Sequence, residues 1–189
     1  RNLGLSDRVK VVATDAKKYR HDKPIDLLIS ETMYVGLTEE PLAQILANLA
    51  PQLAEDGIMI PEWVTIDAGL VDTGQISIKM DEYPDRRVFP QAYVLGPVEV
   101  LRLTRDNLTT VADFRLSVKQ IPVGSYNLVL SSRLGLHEGS GLVLFGLESS
   151  VTAPFAMPGT MVIDDVSRRV SLAVKYELGG PIDEFWEMV

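Results

Sequence analysis

The stretch Ile25-Asp26-Leu27-Leu28-Ile29-Ser30-Glu31-Thr32-Met33 decides how the first part of this 189-residue chain folds. Its apolar beginning has the length and continuity of a strand in a parallel sheet that is covered on both faces. Glu31 follows this strand directly, and Glu40 lies nine positions further on, beyond the turn at residues 34–37. Ligands of open α/β sheets bind at such strand ends, so two carboxylates here predict a site for a cationic substrate.

The elements around this stretch are predicted to belong to the same sheet. Residues 9–13 predict a buried strand that ends at Thr14-Asp15-Ala16, and residues 58–60 predict another strand after Gly57. Between them a helix is expected, with Thr38 as its N-cap and Glu39 and Glu40 in its first turn. Its buried stripe is predicted to comprise Leu42, Ile45, Leu46, Leu49 and Leu53, with a break near Ala50 caused by Pro51.

From about residue 64 the pattern changes to short β-like segments separated by glycine and proline. The clearest is 170–178, where apolar and polar residues alternate with the period of a half-buried strand. Short strands at this spacing predict an antiparallel barrel or sandwich. The weakly periodic stretch 81–113 is expected to be an arm or a long loop. The predicted strands are 64–70, 114–120, 126–136, 142–152, 160–164 and 170–178.

Composition excludes several classes of function. A net charge of −8 argues against a nucleic-acid partner, which requires basic surface. No apolar run approaches the 18 residues of a membrane span, so no membrane partner is expected. The chain has no cysteine, which rules out disulfides and cysteine nucleophiles and fits a cytoplasmic protein. With two histidines and no cysteine, no metal site is predicted.

Three runs of residues together carry a resemblance to a known family. They are Asp26-Leu27-Leu28-Ile29-Ser30-Glu31-Thr32-Met33, then Glu40, then Leu53-Ala54-Glu55-Asp56-Gly57-Ile58-Met59-Ile60-Pro61. This order is similar to that of class I S-adenosylmethionine-dependent methyltransferases, and it most resembles the protein arginine methyltransferases. That family has Ser-Glu-x-Met after its fourth strand, a second glutamate nine residues later, and a β-barrel domain after the sheet.

The resemblance implies roles for particular residues. It makes Glu31 and Glu40 clamps for a guanidinium or other cationic acceptor, one of them acting as a proton acceptor, with Glu39 as a rival for Glu40. Carboxylates suit this role because charge-assisted hydrogen bonds hold and localise the cation's charge. It also implies that Asp15, Ala16 and Glu31 contact S-adenosyl-L-methionine, and that Met33 and Tyr34 line the acceptor pocket.

Each of these residues also has a purely structural interpretation. Glu31 suits the cap of a loop, and Glu40 complements a helix N-terminus. Asp15 is favoured at a strand-to-turn position, and Met33 is a common filler of hydrophobic cores. Tyr34 is typical of an exposed turn.

The fold class that follows is α/β, then all-β. Residues 1–66 are expected to form a partial Rossmann-like domain, and residues 67–189 an antiparallel β-barrel-like domain for substrate binding or dimerisation. No glycine-rich loop precedes residue 9, so the chain is expected to be the C-terminal part of a longer enzyme, inactive and weak in cofactor binding on its own. Thr32 replaces the family's usual aromatic residue, and its Thr-His-Trp signature is absent.

Two functions remain open from the sequence. The first is the C-terminal portion of a methyltransferase whose acceptor is a protein or a small molecule. The alternative is a non-catalytic binding module in which the methyltransferase-like part is only scaffold. Members of the family often form dimers through an arm of the barrel, and residues 81–113 are the candidate arm for a homodimer.

Overall fold

Strands make up most of the regular secondary structure in the computed structural model. It describes residues 8–78, 88–90, 93–119, 121–137, 139, 141–145, 152–165, 169–180 and 186–188. The strands are β1 Ile25–Ile29, β2 Leu53–Ile60, β3 Trp63–Asp72, β4 Ile76–Ile78, β5 Val88–Pro90, β6 Leu95–Thr104, β7 Val111–Lys119, β8 Gly124–His137, β9 Leu142–Leu144, β10 Phe155–Ala156, β11 Met161–Ile163, β12 Arg169–Glu177 and β13 Trp186–Met188. Helix α1 spans Leu42–Leu49, and short 3-10 helices span Val35–Leu37, Ala50–Gln52 and Thr73–Gln75.

The first two strands form a parallel pair that is connected through α1. Leu28 lies opposite Met59 and Ile29 opposite Ile60 in this pair. Leu28 and Met59 are buried, whereas the side chains that alternate with them are left in solvent. These are Leu27 at 50% exposure, Ile29 at 64% and Ile58 at 40%. The pair is therefore covered on one face only, which is unusual for parallel strands.

Helix α1 packs the predicted apolar stripe into the core but begins later than expected. Leu42, Ile45, Leu46 and Leu49 are buried as predicted, whereas Leu53, which was expected to continue the stripe, is the first residue of β2. The cap is Pro41 rather than Thr38, and no side chain caps the first turn. Glu39 and Glu40 precede the helix, because Leu37 and Glu39 adopt positive φ angles of 57° and 59° that no right-handed helix contains. The predicted break near Ala50 is confirmed by the 3-10 helix Ala50–Gln52.

The antiparallel region predicted after residue 64 is confirmed, and it is built around β3. The largest sheet has the order β10-β8-β3-β6, with β9 and β11 also pairing with β8. On one face of β3, Val64, Ile66, Ala68 and Leu70 are at most 1% exposed. On the other face lie Thr65, Asp67 and Val71, which are also buried. A strand between two neighbours and two covered faces is the most protected position in a sheet.

A second antiparallel sheet, of order β13-β12-β7, supplies the rest of the core. In β12 the predicted alternation is confirmed, because Leu172, Val174 and Tyr176 are buried while Lys175 and Glu177 are exposed. One hydrophobic cluster joins Leu42 of α1, Leu70 of β3, Leu130 of β8 and Leu172 of β12. The helix and the antiparallel sheets thus share a single core. In the described parts of the chain, no helix has the length and hydropathy of a membrane span.

Two predictions of local structure were wrong. Residues 9–13 form no strand, and Val9 and Val11 are 57% and 88% exposed, because no described strand lies beside them to accept their hydrogen bonds. The range 81–113, expected as an arm or loop, contains the ten-residue strand β6. Pro97 is tolerated there because β6 is an edge strand and shifts register against β3 between Ala68 and Leu70. Residues 79–87, 91–92 and 146–151 lie outside the described residues, so the prediction for 81–87 and 91–92 and the end of the 142–152 segment are not tested.

Candidate acceptor-binding site

The loop between β1 and α1, residues 30–41, carries both glutamates that the sequence singles out. The Ser30 amide donates to the Ile60 carbonyl over 3.0 Å, so hydrogen bonding to β2 continues one residue past β1. The hydroxyls of Ser30 and Thr32 lie 3.0 Å apart, on either side of Glu31. Glu31 is exposed at this strand end. We call residues 30–41 the glutamate loop.

The middle of the glutamate loop has a strained backbone. Gly36, Leu37 and Glu39 all have positive φ angles, of 63°, 57° and 59°. For residues with a side chain this conformation costs roughly 1–2 kcal/mol each. Leu37 and Thr38 are nonetheless only 1% exposed, so the loop is anchored in the core by its own side chains. Such strain persists where the surrounding structure imposes it, and it is common at functional sites.

The surrounding structure that imposes this backbone is the end of β12, residues 176–180, which we call the β12 turn. The Gly179 amide donates to the Leu37 carbonyl over 2.7 Å, and the Glu39 amide donates to the Gly180 carbonyl over 2.8 Å. The buried Tyr176 hydroxyl donates to the Gly36 carbonyl over 2.8 Å. A further bond joins the Gln44 side-chain amide to the Leu178 carbonyl. These bonds cross more than 130 positions of sequence, so no local pattern signals them.

The residues predicted to bind the acceptor differ in their exposure to solvent. Glu31, Glu39 and Glu40 are exposed and available to a ligand. Met33 is 8% exposed and belongs to the hydrophobic core. Tyr34 is half-buried and packs against the same core. The loop therefore carries three exposed glutamates next to two residues that pack in or against the hydrophobic core.

Two of the three predicted cofactor residues, Asp15 and Ala16, lie on a separate segment, residues 14–21, whereas the third, Glu31, lies on the glutamate loop. Asp15 accepts hydrogen bonds from the Lys17 amide through its side chain and from the Lys18 amide through its carbonyl, both over 2.9 Å. Asp15 is exposed and Ala16 is half-buried. The carboxylate therefore shapes a turn, and this turn is attached to the end of α1.

Asn48 and Gln52, which sequence reasoning missed, make that attachment. The Asn48 side-chain amide donates to the carbonyls of Ala16 and Tyr19 over 2.9 and 2.8 Å. Gln52 also donates to the Tyr19 carbonyl, over 3.0 Å. An asparagine within a helix is unfavourable unless it has such partners, and this was the available signal. Helix α1 thus connects the glutamate loop at its beginning to the Asp15 segment at its end.

An open cavity of about 290 Å³ adjoins the Asp15 segment. Small-molecule sites usually measure about 300–1,000 Å³, so this cavity lies at the small end of that range. It is lined by Lys10, Val12, Thr14, Ala16 and Tyr19. Of the residues predicted to contact a cofactor, Ala16 lines the cavity, whereas Asp15 and Glu31 do not. Within the described ranges, no cluster of acidic and histidine side chains could hold a metal ion.

Away from the loop, a network of charges crosses the outer face of β3, β6 and β8. Arg133 donates two hydrogen bonds to Asp67, over 2.6 and 2.7 Å, and another to Glu99 over 3.0 Å. Arg102 binds Glu99 with two bonds of 2.9 and 2.8 Å and stacks over the Trp63 ring. The hydrogen bonds from Arg102 lower the pKa of Glu99, and the charge of Arg133 adds to this effect. Positive and negative groups balance, which is typical of a structural network.

Two solved structures resemble this fold. The Trypanosoma brucei PRMT1 enzyme–prozyme heterotetrameric complex with AdoHcy matches with a TM-score of 0.55 and 15% identity, over 91% of this chain and 64% of that chain. A crystal structure of PRMT6-SAH matches with a TM-score of 0.50 and 10% identity, over 86% of this chain and 66% of that chain. The abbreviation PRMT denotes a protein arginine methyltransferase. No protein-family model and no curated protein sequence matches.

These matches show a fold like that of the two arginine methyltransferase structures. At this level of identity the likeness concerns the fold alone. The chain spans just under two thirds of the length of either neighbour.

Proposed function

We propose that this chain is the acceptor-binding, C-terminal portion of an S-adenosylmethionine-dependent methyltransferase that modifies a guanidinium or another cationic group. One observation carries the proposal. A strained loop with exposed Glu31 and Glu40 follows a parallel strand and is held by an antiparallel body, within a fold that resembles arginine methyltransferases. This is the place at which open α/β sheets bind their ligands.

In this proposal the glutamates bind and orient the acceptor. Glu31 and Glu40 accept hydrogen bonds from its N–H groups and localise its positive charge away from the attacking nitrogen. One of them takes up the proton that the nitrogen loses. Glu39 is the alternative to Glu40, since it is exposed on the same loop. Asp15, Ala16 and Glu31 would hold S-adenosylmethionine, which would supply the methyl group.

We also propose the two-domain division at residue 66. The exposed Leu27, Ile29 and Ile58 support it, because parallel strands in α/β sheets are normally covered on both faces. Residues 1–66 then belong to a larger Rossmann-like sheet, and residues 67–189 form the barrel-like domain. Such a protein would act on a protein or small-molecule acceptor. It would also form a homodimer, and the heterotetrameric complex of one structural neighbour supports oligomerisation in general.

The test uses the intact enzyme, labelled S-adenosylmethionine and a panel of arginine-containing peptides and small guanidines. Glu31→Gln and Glu40→Gln remove the charge and keep the shape of each side chain. Each should lower kcat/KM at least about 100-fold, as does the loss of other groups that stabilise charge during reaction. Glu55→Gln, at an exposed glutamate of β2, is the matched control and should leave transfer unchanged. Full activity in both loop variants would show that neither glutamate binds the acceptor.

A second candidate, a non-catalytic binding module, is supported by a different observation. Residues 8–35 contain no glycine, so no glycine-rich cofactor loop lies in this part of the chain. The antiparallel sheets, by contrast, contribute most of the hydrophobic core that they share with α1. If the intact protein transfers no methyl group to any member of the panel while Glu31→Gln weakens binding of a cationic peptide, this second function is the correct one.

A further inference from the structure

The conformation of the glutamate loop is not accounted for by contacts within the loop. Between Gly36 and Glu40, three residues have positive φ angles, and two of these carry side chains. Among the backbone bonds inside the loop, the Leu37 amide reaches the Tyr34 carbonyl and the Glu40 amide reaches the Thr38 carbonyl. Hydrogen bonds between residues so close in sequence are compatible with many turn conformations. What selects the observed backbone must therefore come from elsewhere in the chain.

The β12 turn makes contact with the loop at each of its strained positions. Tyr176 donates to the carbonyl of Gly36, and Gly179 donates to the carbonyl of Leu37. Gly180 accepts the amide hydrogen of Glu39. The three contacts are 2.7–2.8 Å long, and Tyr176 is only 2% exposed. Burial of the Tyr176 hydroxyl excludes water as a competing partner for the Gly36 carbonyl, so this bond in particular favours one arrangement of the loop.

Two glycines make this close approach feasible. A Cβ atom on Gly36 would lie 2.5 Å from the Phe155 ring, and Gly36 has a φ of +63°. A Cβ atom on Gly179 would lie 2.8 Å from the Pro41 Cα and 3.0 Å from the Glu40 carbonyl oxygen. Gly179 therefore touches the backbone of the residue that carries the second predicted clamp. A side chain at this position would therefore force the β12 turn and the backbone of Glu40 and Pro41 apart.

We propose that Tyr176 and Gly179 are positioning residues that set the separation of Glu31 and Glu40. This inference rests on the proposed function, in which those two carboxylates bind the acceptor. Glu31 takes its place from the parallel sheet, since Ser30 beside it is bonded to β2. Glu40 takes its place from the antiparallel body, through the β12 turn. The geometry of the pair is thus a joint product of both regions, and the barrel-like domain determines the fit for the acceptor.

The first test compares two tyrosine variants of the 189-residue chain. Tyr176→Phe removes the hydroxyl that binds the Gly36 carbonyl. Tyr126→Phe is the matched control, because Tyr126 is also a buried tyrosine whose hydroxyl donates to a backbone carbonyl, that of Pro122, over 2.8 Å. Amide hydrogen exchange measured by NMR should accelerate at least about tenfold at Glu39 and Gly179 in Tyr176→Phe, and stay unchanged there in Tyr126→Phe.

A second pair of variants tests the close approach of Gly179. Gly179→Ala adds a methyl group against Pro41 and Glu40. Gly141→Ala is its control, because Gly141 also has a positive φ, of 63°, but no described atom lies within 4 Å of the added Cβ. Both variants carry the same backbone penalty, so faster exchange at Glu39 in Gly179→Ala alone identifies the effect of displacement.

In the intact enzyme, the Tyr176→Phe and Gly179→Ala variants should raise the KM of the cationic acceptor at least about tenfold and leave the KM of S-adenosylmethionine unchanged. A general loss of stability would change neither KM selectively. Unchanged exchange at Glu39 and Gly179 in both variants would overturn the positioning role. Faster exchange with an unchanged acceptor KM would show that the β12 turn holds the loop while the proposed acceptor site is wrong.

Discussion

Strands β1 and β3 are both rich in apolar residues, yet their side chains differ in exposure to solvent. In β1, Leu27 and Ile29 are at least half exposed, and Leu28 alone among its leucines is buried. In β3, every residue from Val64 to Val71 is buried, whichever face of the sheet its side chain occupies. The difference lies in their neighbours. Strand β3 sits between β8 and β6, whereas among the described strands β1 pairs only with β2.

Burial of an apolar side chain is therefore decided by the position of its strand in a sheet and not by the sequence of the strand alone. The hydrophobic effect scales with the apolar area removed from water, so the same leucine contributes differently at the two places. The exposed face of the parallel pair therefore contributes little to the stability of this chain. It can contribute more only when other strands or helices cover it.

The largest effect is expected from a matched pair of leucine truncations. Leu70→Ala in β3, where the side chain is fully buried, should lower the free energy of unfolding by about 2–5 kcal/mol. Leu27→Ala in β1 should lower it by less than about 1 kcal/mol, because the side chain is half exposed. Urea denaturation of both variants measures the difference. Equal decreases in the free energy of unfolding would mean that β1 is covered in solution and does not differ from β3 in burial.

An intermediate effect is expected at Arg105, which joins the two regions. Its guanidinium donates to the carbonyls of Ala54, Glu55 and Gly57 at the start of β2, over 2.8–3.3 Å. Arg105→Met keeps much of the side chain's length and removes these charged donors. We expect a loss of about 1–3 kcal/mol, concentrated in β2.

Hydrogen exchange should report the Arg105→Met loss as faster exchange at β2 amides, with β3 amides little affected. Arg115→Met, at an exposed arginine of β7, is the control and should leave β2 unchanged. If β2 and β3 lose protection equally, the two regions unfold as one unit, and the parallel pair is more firmly attached than its exposure indicates.

The smallest effect is expected from the charge network on β3, β6 and β8. Arg102 and Arg133 hold the pKa of Glu99 below its ordinary value of 4.5. Because the folded form binds the proton less tightly than the unfolded form, the stabilisation is present above about pH 4.5 and is lost as the pH falls through the folded-state pKa. About a third of the Glu99 side chain is exposed, so solvent screens the interaction.

Glu99→Gln should therefore flatten the acid side of the stability profile while changing stability at neutral pH only slightly. Urea midpoints for this variant and for Glu55→Gln, measured between pH 7 and pH 3, check the expectation. An acid profile identical to that of the unmodified chain would show that the network does not couple to folding.

Local patterns predicted those elements whose neighbours match their periodicity. The alternation in β12 was correctly interpreted because β7 and β13 flank the strand and one of its faces covers the core. The apolar stripe of α1 was predicted for the same reason. The prediction of a strand at residues 9–13 was wrong, although these residues are as apolar as those of β1. A strand also needs a neighbouring strand that pairs with its backbone N–H and C=O groups. Strand β6 was missed because Gly96 and Pro97 interrupt its pattern, and the register shift that accommodates them depends on β3.

The sequence by itself determined the spacing of Glu31 and Glu40, the strand before them and the helix after them, since these follow from residue types within one or two turns of backbone. Only the tertiary structure decided the backbone of Leu37 and Glu39. Their positive φ angles are unfavourable locally, and the bonds that offset this cost come from Tyr176, Gly179 and Gly180. Contacts between segments so distant in sequence form only when the sheets pack, and no short stretch of the chain encodes them.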